Sequence, residues 1–404
     1  MNWKLIRIID TYFGIPLLPL FPLVNKLRRQ PPPASADEKR ILLIKFWGIG
    51  NIFMILPAIQ ALRKAHPFAI IDFLTLESNR DALAAIDSVD NLVAINTDTV
   101  SLFITTWMRG VSLLKKNNYD IIIDFEQFAH FSALVSSQIG ARELIGFRTR
   151  SRSRNRLFSR SVPYDNTIHV TRSFFSLAIA AGASDTTSSP PGFRLPGLDE
   201  VRKRGRTLLV ENGFQPDDVC VVIHIGTSDN FHERRWPPRR YAELADLLVE
   251  QFAVRVVFTG LPGESVHVRE AVSQMRLESA AVDLCGQLDF AGYFALIAAA
   301  DLVISADTSA VHIASAVDTP VVGLYGPNTP LLYGPWGAKG LAVYQGFDCS
   351  PCITNFNTKL NTCRHASGRG ACMEAIEVAD VFGVIRRQYL DPAAPFRLEK
   401  LDGR

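Results

Sequence analysis

Residues 300–327 read ADLVISADTSAVHIASAVDTPVVGLYGP. An apolar run ends at Ser305, a short polar loop follows, a helical pattern begins around Ser309, and a second apolar run spans Val321 to Tyr325. Strand, helix and strand in that order form the unit of a parallel sheet. Thr308 and Ser309 are suited to cap the helix, and the free amides of its first turn, with the positive end of its dipole, suit a diphosphate. Asp307 and His312 belong to the same helix entrance.

The same alternation extends upstream. Val219 to His224 reads as a strand, Pro237-Pro238 open a helix through Gln251, and Val254 to Thr259 and Leu302 to Ser305 continue a sheet. An earlier set begins at Ile41, with strands at Ile41 to Ile44, Ile70 to Leu74, Leu92 to Ile95 and Ile121 to Asp124. There Phe46 to Gly50 forms a tight loop and Ile52 to Ala65 a helix. Ser, Pro and Gly crowd Ser184 to Gly197, which marks the boundary between the two sets. The 404 residues therefore divide into a 37–190 domain and a 200–390 domain. Both are open parallel α/β domains, which bind ligands at the carboxyl ends of their strands, and the cleft between them is the expected active site.

With 48% hydrophobic and 21% charged residues the chain is a folded globular protein. A net charge of +3 does not by itself imply nucleic acid, so local clusters decide the electrostatics. Arg148 to Arg160, RTRSRSRNRLFSR, holds Arg148, Arg150, Arg152, Arg154, Arg156 and Arg160 beside the single aromatic Phe158. A nucleic-acid patch interleaves stacking aromatics, so phosphorylated lipid or an acidic membrane surface fits this run better. Trp3 to Leu27 has an apolar centre flanked by cations, too short and too rich in proline to span a bilayer, and reads as an interfacial anchor within residues 1–36. No cleavable signal peptide is apparent, which places the protein in the cytoplasm at the inner face of the membrane.

Two further strand ends carry chemistry. Ile223 to Pro238, IHIGTSDNFHERRWPP, sets Thr227, Ser228, Arg234 and Arg235 in a polar loop suited to phosphate oxygens. Phe258 to Glu264, FTGLPGE, brings Glu264 to a turn from which it could bond a ribose or base. Of the cysteines, Cys220 and Cys285 sit in apolar runs as small hydrophobes. Cys349, Cys352, Cys363 and Cys372 fit either a structural zinc, a reduced cluster or a disulfide.

Together these segments resemble glycosyltransferase family 9, the heptosyltransferases, across residues 41–385. The resemblance rests on G-I-G-N and L-P-A in Ile41 to Ala65, R-R-W-P from Arg234, and T-G-x-P-x-E from Thr259. It also includes A-D-x-x-I-S-x-D-T-S-x-x-H-I-A from Ala300 and G-L-Y-G-P from Gly323. It implies a GT-B fold, two Rossmann-like domains facing a central cleft, with the donor held by the carboxyl domain and the acceptor by the amino domain. It also implies inverting transfer, without metal or cofactor, from a nucleoside-diphosphate sugar such as ADP-heptose to a lipid-linked glycan of the lipopolysaccharide-core type. Carried onto matching positions, Thr227, Ser228, Asp307, Thr308 and Ser309 contact diphosphate or sugar, Arg234 assists the phosphates, and His312 closes the motif. The alternatives are a non-hydrolysing sugar-nucleotide epimerase and a binding protein that has lost transfer activity.

Two positions depart from the family. Where heptosyltransferases carry an aspartate that deprotonates the acceptor, this chain has Asn51, and an amide accepts no proton at neutral pH. Asp124 and Glu126, at the end of a strand on the cleft side, are the candidate bases in its place, with Asn51 orienting the acceptor. Ser309 stands where glycine is usual.

Overall fold

The computed structural model describes residues 39–86, 88–149, 152–184, 195–227, 231–352, 363 and 365–387. The chain separates into two compact units, Met1–Pro196 and Gly197–Arg404. The proposed anchor in residues 1–36, with Ser228 and Arg150, lies outside the described residues, as does the side chain of Arg152.

The first unit is built on six parallel strands: β1 (Arg40–Ile44), β2 (Ile70–Leu76), β3 (Asn91–Ile95), β4 (Tyr119–Asp124), β5 (Ala141–Arg148) and β6 (Arg160–Pro163). Their order is β3-β2-β1-β4-β5-β6. Central β1 pairs Ile44 with Leu74 on one side and with Asp124 on the other. Ile41 to Ile44 have no exposed surface, as expected of a parallel strand covered by helices on both faces. The sequence reading missed β5 and β6. RSVP is the edge strand and carries charge and proline, whereas ARELIGFR is paired on both sides and has only a short buried run, Leu144 to Phe147, between the charged residues Arg142, Glu143 and Arg148.

The second unit repeats the plan with β7 (Cys220–His224), β8 (Arg255–Thr259), β9 (Ala281–Asp283), β10 (Leu302–Ala306), β11 (Val321–Tyr325) and β12 (Gly340–Tyr344), ordered β12-β11-β10-β7-β8-β9. Counted from its own first strand, this is the same sequence of neighbours as in the first unit. In both, the strand order reverses at one point, between β1 and β4 and between β7 and β10, where diverging connections leave a crevice at the carboxyl ends. The core of the second unit closes around Trp236, fully buried, whose Nε1 donates to Ile376 O at 2.9 Å and whose ring meets Tyr241 edge-on at 4.8 Å. Helices Leu198–Glu211 and Phe290–Ala299 approach so closely that a Cβ on Gly205 would lie 2.0 Å from Ala295 O. Glycine is what permits the contact.

No helix among the described residues is long and apolar enough to cross a membrane.

Candidate active site

The crevice of the second unit gathers most of the residues expected at the donor. Thr227 follows β7, and its hydroxyl is buried without a hydrogen-bond partner among the described residues. An unpaired buried hydroxyl costs free energy that a ligand oxygen would recover. After β10, Thr308 caps the Ser309–Ala316 helix through Ala310 N at 3.2 Å and meets the Ser305 hydroxyl at 2.9 Å. The helix therefore starts where the sequence places it, with its amino terminus at the crevice. Ser309 is half-buried in the first turn, and His312 is buried in the same helix.

Arg234 lies at the end of the short His232–Arg234 turn. Its Nη1 donates to Asp307 O at 3.1 Å and stands 3.6 Å from Asp307 Oδ2. Asp307 Oδ2 also accepts from Asn328 Nδ2 at 2.8 Å. These bonds join three strand-end loops and hold one guanidinium beside the helix entrance. Asn328, in the G-P-N turn after β11, was missed from sequence, although its place directly behind the motif glycines was a usable signal.

Glu264 is buried against the same loop. Its Oε2 accepts from Leu261 N at 2.6 Å, and a Cβ on Gly226 would fall 2.1 Å from that oxygen. Gly226 thus leaves the space that lets the carboxylate sit next to Thr227. His224, at the end of β7, is a further missed residue. Its Nδ1 lies 3.1 Å from both the Thr259 and Tyr293 hydroxyls, and burial drives its pKa down to about 4, so the ring is neutral at pH 7.

In the first unit the crevice is built around a buried ion pair. Lys45 Nζ lies 2.7 Å from Glu126 Oε2 and 3.2 Å from Gln127 Oε1. Glu126 Oε1 accepts from the amides of Phe46 at 2.7 Å and Trp47 at 3.0 Å. The helix after this loop begins at Ile49, with Gly48 at φ +90°, so Asn51 belongs to its first turn rather than to the loop before it. Asn51 Nδ2 donates to Trp47 O at 3.1 Å, which fixes the amide orientation and leaves buried Oδ1 without a partner among the described residues. The Lys45 ammonium, a donor only, orients Gln127 in the same way and leaves its buried Nε2 unpaired among the described residues. Gln127 and Lys45 were not found from sequence, since a lone amide or lysine beside a strand end has no distinguishing pattern.

The assignment of Asp124 as the base needs correction. It is completely buried, accepting from Ser132 Oγ at 2.8 Å and Glu126 N at 2.9 Å, with Arg154 at 3.3 Å. Burial pushes its pKa up to about 6, against the pull of Arg154. A side chain with no exposed surface reaches no acceptor hydroxyl. Glu126 is 4% exposed and committed to Lys45 and two amides, so it is a tie for the loop.

Arg154 needs the same correction. Expected among cations offered to lipid or acceptor, it is buried, donating to Ala129 O and Phe147 O, each at 2.8 Å, and to Glu126 O, with its guanidinium 4.9 Å from the Phe158 ring centre. It is an internal brace for Asp124. Arg148 and Arg156 remain exposed.

All six cysteines are free thiols. Burial, with Cys349, Cys372 and Cys363 nearby, pushes the Cys352 thiol up to about 12. Among the described residues no group of three or more His, Cys, Asp or Glu side chains is placed to hold a metal ion.

The model of glycosyltransferase family 9 (heptosyltransferase) matches residues 107–362. The chain belongs to this family. Lipopolysaccharide heptosyltransferase 1 of Pseudomonas aeruginosa is 27% identical over 329 residues, covering 78% of this chain and 86% of that protein. Lipopolysaccharide heptosyltransferase 3 of Escherichia coli is 25% identical over 306 residues, covering 74% and 85%. Among solved structures, a family 9 glycosyl transferase from Veillonella parvula aligns with a TM-score of 0.70 at 20% identity, covering 87% of this chain and 98% of that one. E. coli heptosyltransferase WaaC with ADP aligns at 0.66 and 18%, covering 86% and 99%. This family 9 chain is a glycosyltransferase with the two-unit α/β fold of the GT-B heptosyltransferases.

Proposed function

We propose that this glycosyltransferase transfers a heptose from ADP-heptose to a sugar of the lipopolysaccharide core, with inversion and without a metal ion. The observation that carries the reading is the second unit's crevice: Arg234 tied to Asp307, a capped helix amino terminus, and the buried unpaired Thr227 hydroxyl converge at the strand-order reversal. Positive charge, a helix dipole and a spare hydroxyl are what a diphosphate requires. The relatives support the choice of sugar and acceptor, being lipopolysaccharide heptosyltransferases, one of whose structures holds ADP.

In this reading the bond from the anomeric carbon to the diphosphate oxygen breaks, and its electron pair leaves with the diphosphate. Arg234 and the helix entrance stabilise that growing charge. The acceptor oxygen attacks the opposite face. A hydroxyl both donates and accepts, and the first unit offers the complement: Asn51 Oδ1 accepts and Gln127 Nε2 donates. The acceptor proton is lost late, to departing phosphate or solvent, because Asn51 cannot take it. Ser228, Thr308, Ser309, His312 and Glu264 complete the donor site, and Arg148 and Arg156 draw the anionic acceptor. The enzyme works at the cytoplasmic membrane surface, held there by its amino-terminal segment.

The test is a panel of nucleotide sugars screened by thermal shift, followed by product analysis on lipid-linked acceptors. ADP-heptose should stabilise the protein and yield a heptosylated product. Binding without any transfer would reduce the protein to a sugar-nucleotide binder, and interconversion of the donor sugar would make it an epimerase.

A further inference from the structure

The helix Val100–Lys115 of the first unit packs one face on the sheet, burying Gly110, Val111 and Leu114. A Cβ on Gly110 would stand 3.1 Å from Val93 Cγ1, which shows how closely that face is seated. Its outer surface is unusual for a helix facing water. Val100, Leu102, Ile104, Met108 and Leu113 are exposed, from 42% at Leu102 to 64% at Met108. The outward cations are Arg109, Lys115 and Lys116, and residues 99–116 contain no Asp or Glu. The nearest acid before the helix is Asp98.

Between the apolar flanks lie Ser101, Thr105 and Ser112. Thr105 turns its hydroxyl back onto Ser101 O at 2.9 Å and Leu102 O at 3.1 Å. A hydroxyl satisfied within its own helix loses little when water is removed from above it. Thr105 therefore adds little to the cost of dehydrating the apolar part of this face, and the charged side chains of residues 99–116 are all cations.

We infer that this helix is a membrane-contacting surface that lies in the plane of an anionic bilayer, its exposed apolar residues among the headgroups and Arg109, Lys115 and Lys116 on lipid phosphates. A helix of 16 residues measures about 24 Å, shorter than the hydrocarbon core, and its inner face is already committed to the sheet, so it lies on the surface and does not span it. Its underside leads to the acceptor crevice through a chain of tilted ring contacts. Trp107 meets Phe131 at 4.7 Å, Phe131 meets Phe46 at 6.0 Å, and the amide of Phe46 is held by Glu126. A lipid-linked sugar presented at this surface would reach the Asn51 loop of the same unit. That last link rests on the proposed transfer reaction, whereas the membrane contact does not.

The test compares the full-length protein with an Ile104→Asp/Met108→Asp variant in vesicle flotation. Vesicles of phosphatidylcholine alone are set against vesicles with phosphatidylglycerol. The amino-terminal segment is the same in both proteins, so a difference reports on the helix. The variant should partition about tenfold less onto the anionic vesicles, and Lys115→Ala/Lys116→Ala should weaken the preference for phosphatidylglycerol. In the unaltered protein, amide exchange across residues 100–116 should slow when anionic vesicles are added. Equal partitioning of variant and parent, or unchanged exchange in that helix, would overturn the inference. So would a parent dimer that the double substitution dissociates, since the face would then bind a second copy. Circular dichroism and ADP binding serve as controls: retained ADP affinity separates a surface defect from a failure of the donor-site reading.

Discussion

Lys45 Nζ lies 2.7 Å from Glu126 Oε2, with both side chains shielded from solvent, and the other oxygen of the same carboxylate holds the amides of Phe46 and Trp47. One carboxylate therefore ties the loop after β1 to the loop after β4. Glu126→Gln should leave a buried ammonium uncompensated and cost about 3 to 5 kcal/mol. Urea unfolding measures it, and a loss below about 1 kcal/mol would mean that the pair is not what holds these loops.

Arg234 should matter to the donor through charge rather than packing. Arg234→Ala should weaken ADP binding about tenfold to a hundredfold, the loss expected for a charge-assisted bond pair. Calorimetric titration with ADP decides it. Unchanged affinity in a folded variant would take Arg234 out of the site.

Asn51 is bonded as a donor, which sets what a carboxylate could do there. Asn51→Asp would put a negative oxygen against Trp47 O in place of the 3.1 Å bond from Nδ2. Turnover should therefore fall rather than rise. Asn51→Ala, which removes only the acceptor for the incoming hydroxyl, should lose about ten- to a hundredfold. A faster Asn51→Asp enzyme with a new acidic limb in its rate profile would instead reveal a site still arranged for an aspartate base.

Burial lowers the His224 pKa to about 4 in the folded chain, against about 6.5 when unfolded. Between those values the unfolded chain binds the extra proton, so stability is complete above pH 6.5 and falls as the pH drops toward 4. His224→Gln should flatten this part of the pH dependence. A variant whose stability falls as steeply as the parent's over that range would place the acid sensitivity elsewhere.

Gly226 and Glu264 predict a compensating pair. Gly226→Ala would drive a methyl group to 2.1 Å from Glu264 Oε2 and displace the carboxylate from beside Thr227. ADP-sugar affinity should drop. If displacement is the cause, adding Glu264→Ala to Gly226→Ala should cost little more, and fully additive losses in titration would refute the contact.

How far these features could be read in advance depends on the range of the interactions that make them. Buried strands such as ILLI and LVIS announce themselves because both faces of a parallel sheet must be apolar, and the Thr308 cap because it bonds within its own turn. Edge strand β6 lacks that constraint, and in β5 charged residues flank a short buried run, so both were missed. The run of arginines looked uniform, yet Arg154 is buried on Asp124 while Arg148 and Arg156 stay exposed, a difference made by partners 30 residues away.

The sequence alone determined two parallel α/β units and the strand-end loops that carry the chemistry, since periodicity, capping and turn residues act over a few positions. Only the tertiary structure decided which side chains meet. Arg234 finds Asp307 across 73 residues, and Lys45 finds Glu126 across 81, because the strand order places β7 beside β10 and β1 beside β4. That adjacency also turned Asp124 and Glu126 from candidate bases into buried ties. A carboxylate's role depends on what surrounds it, and its surroundings come from distant parts of the chain.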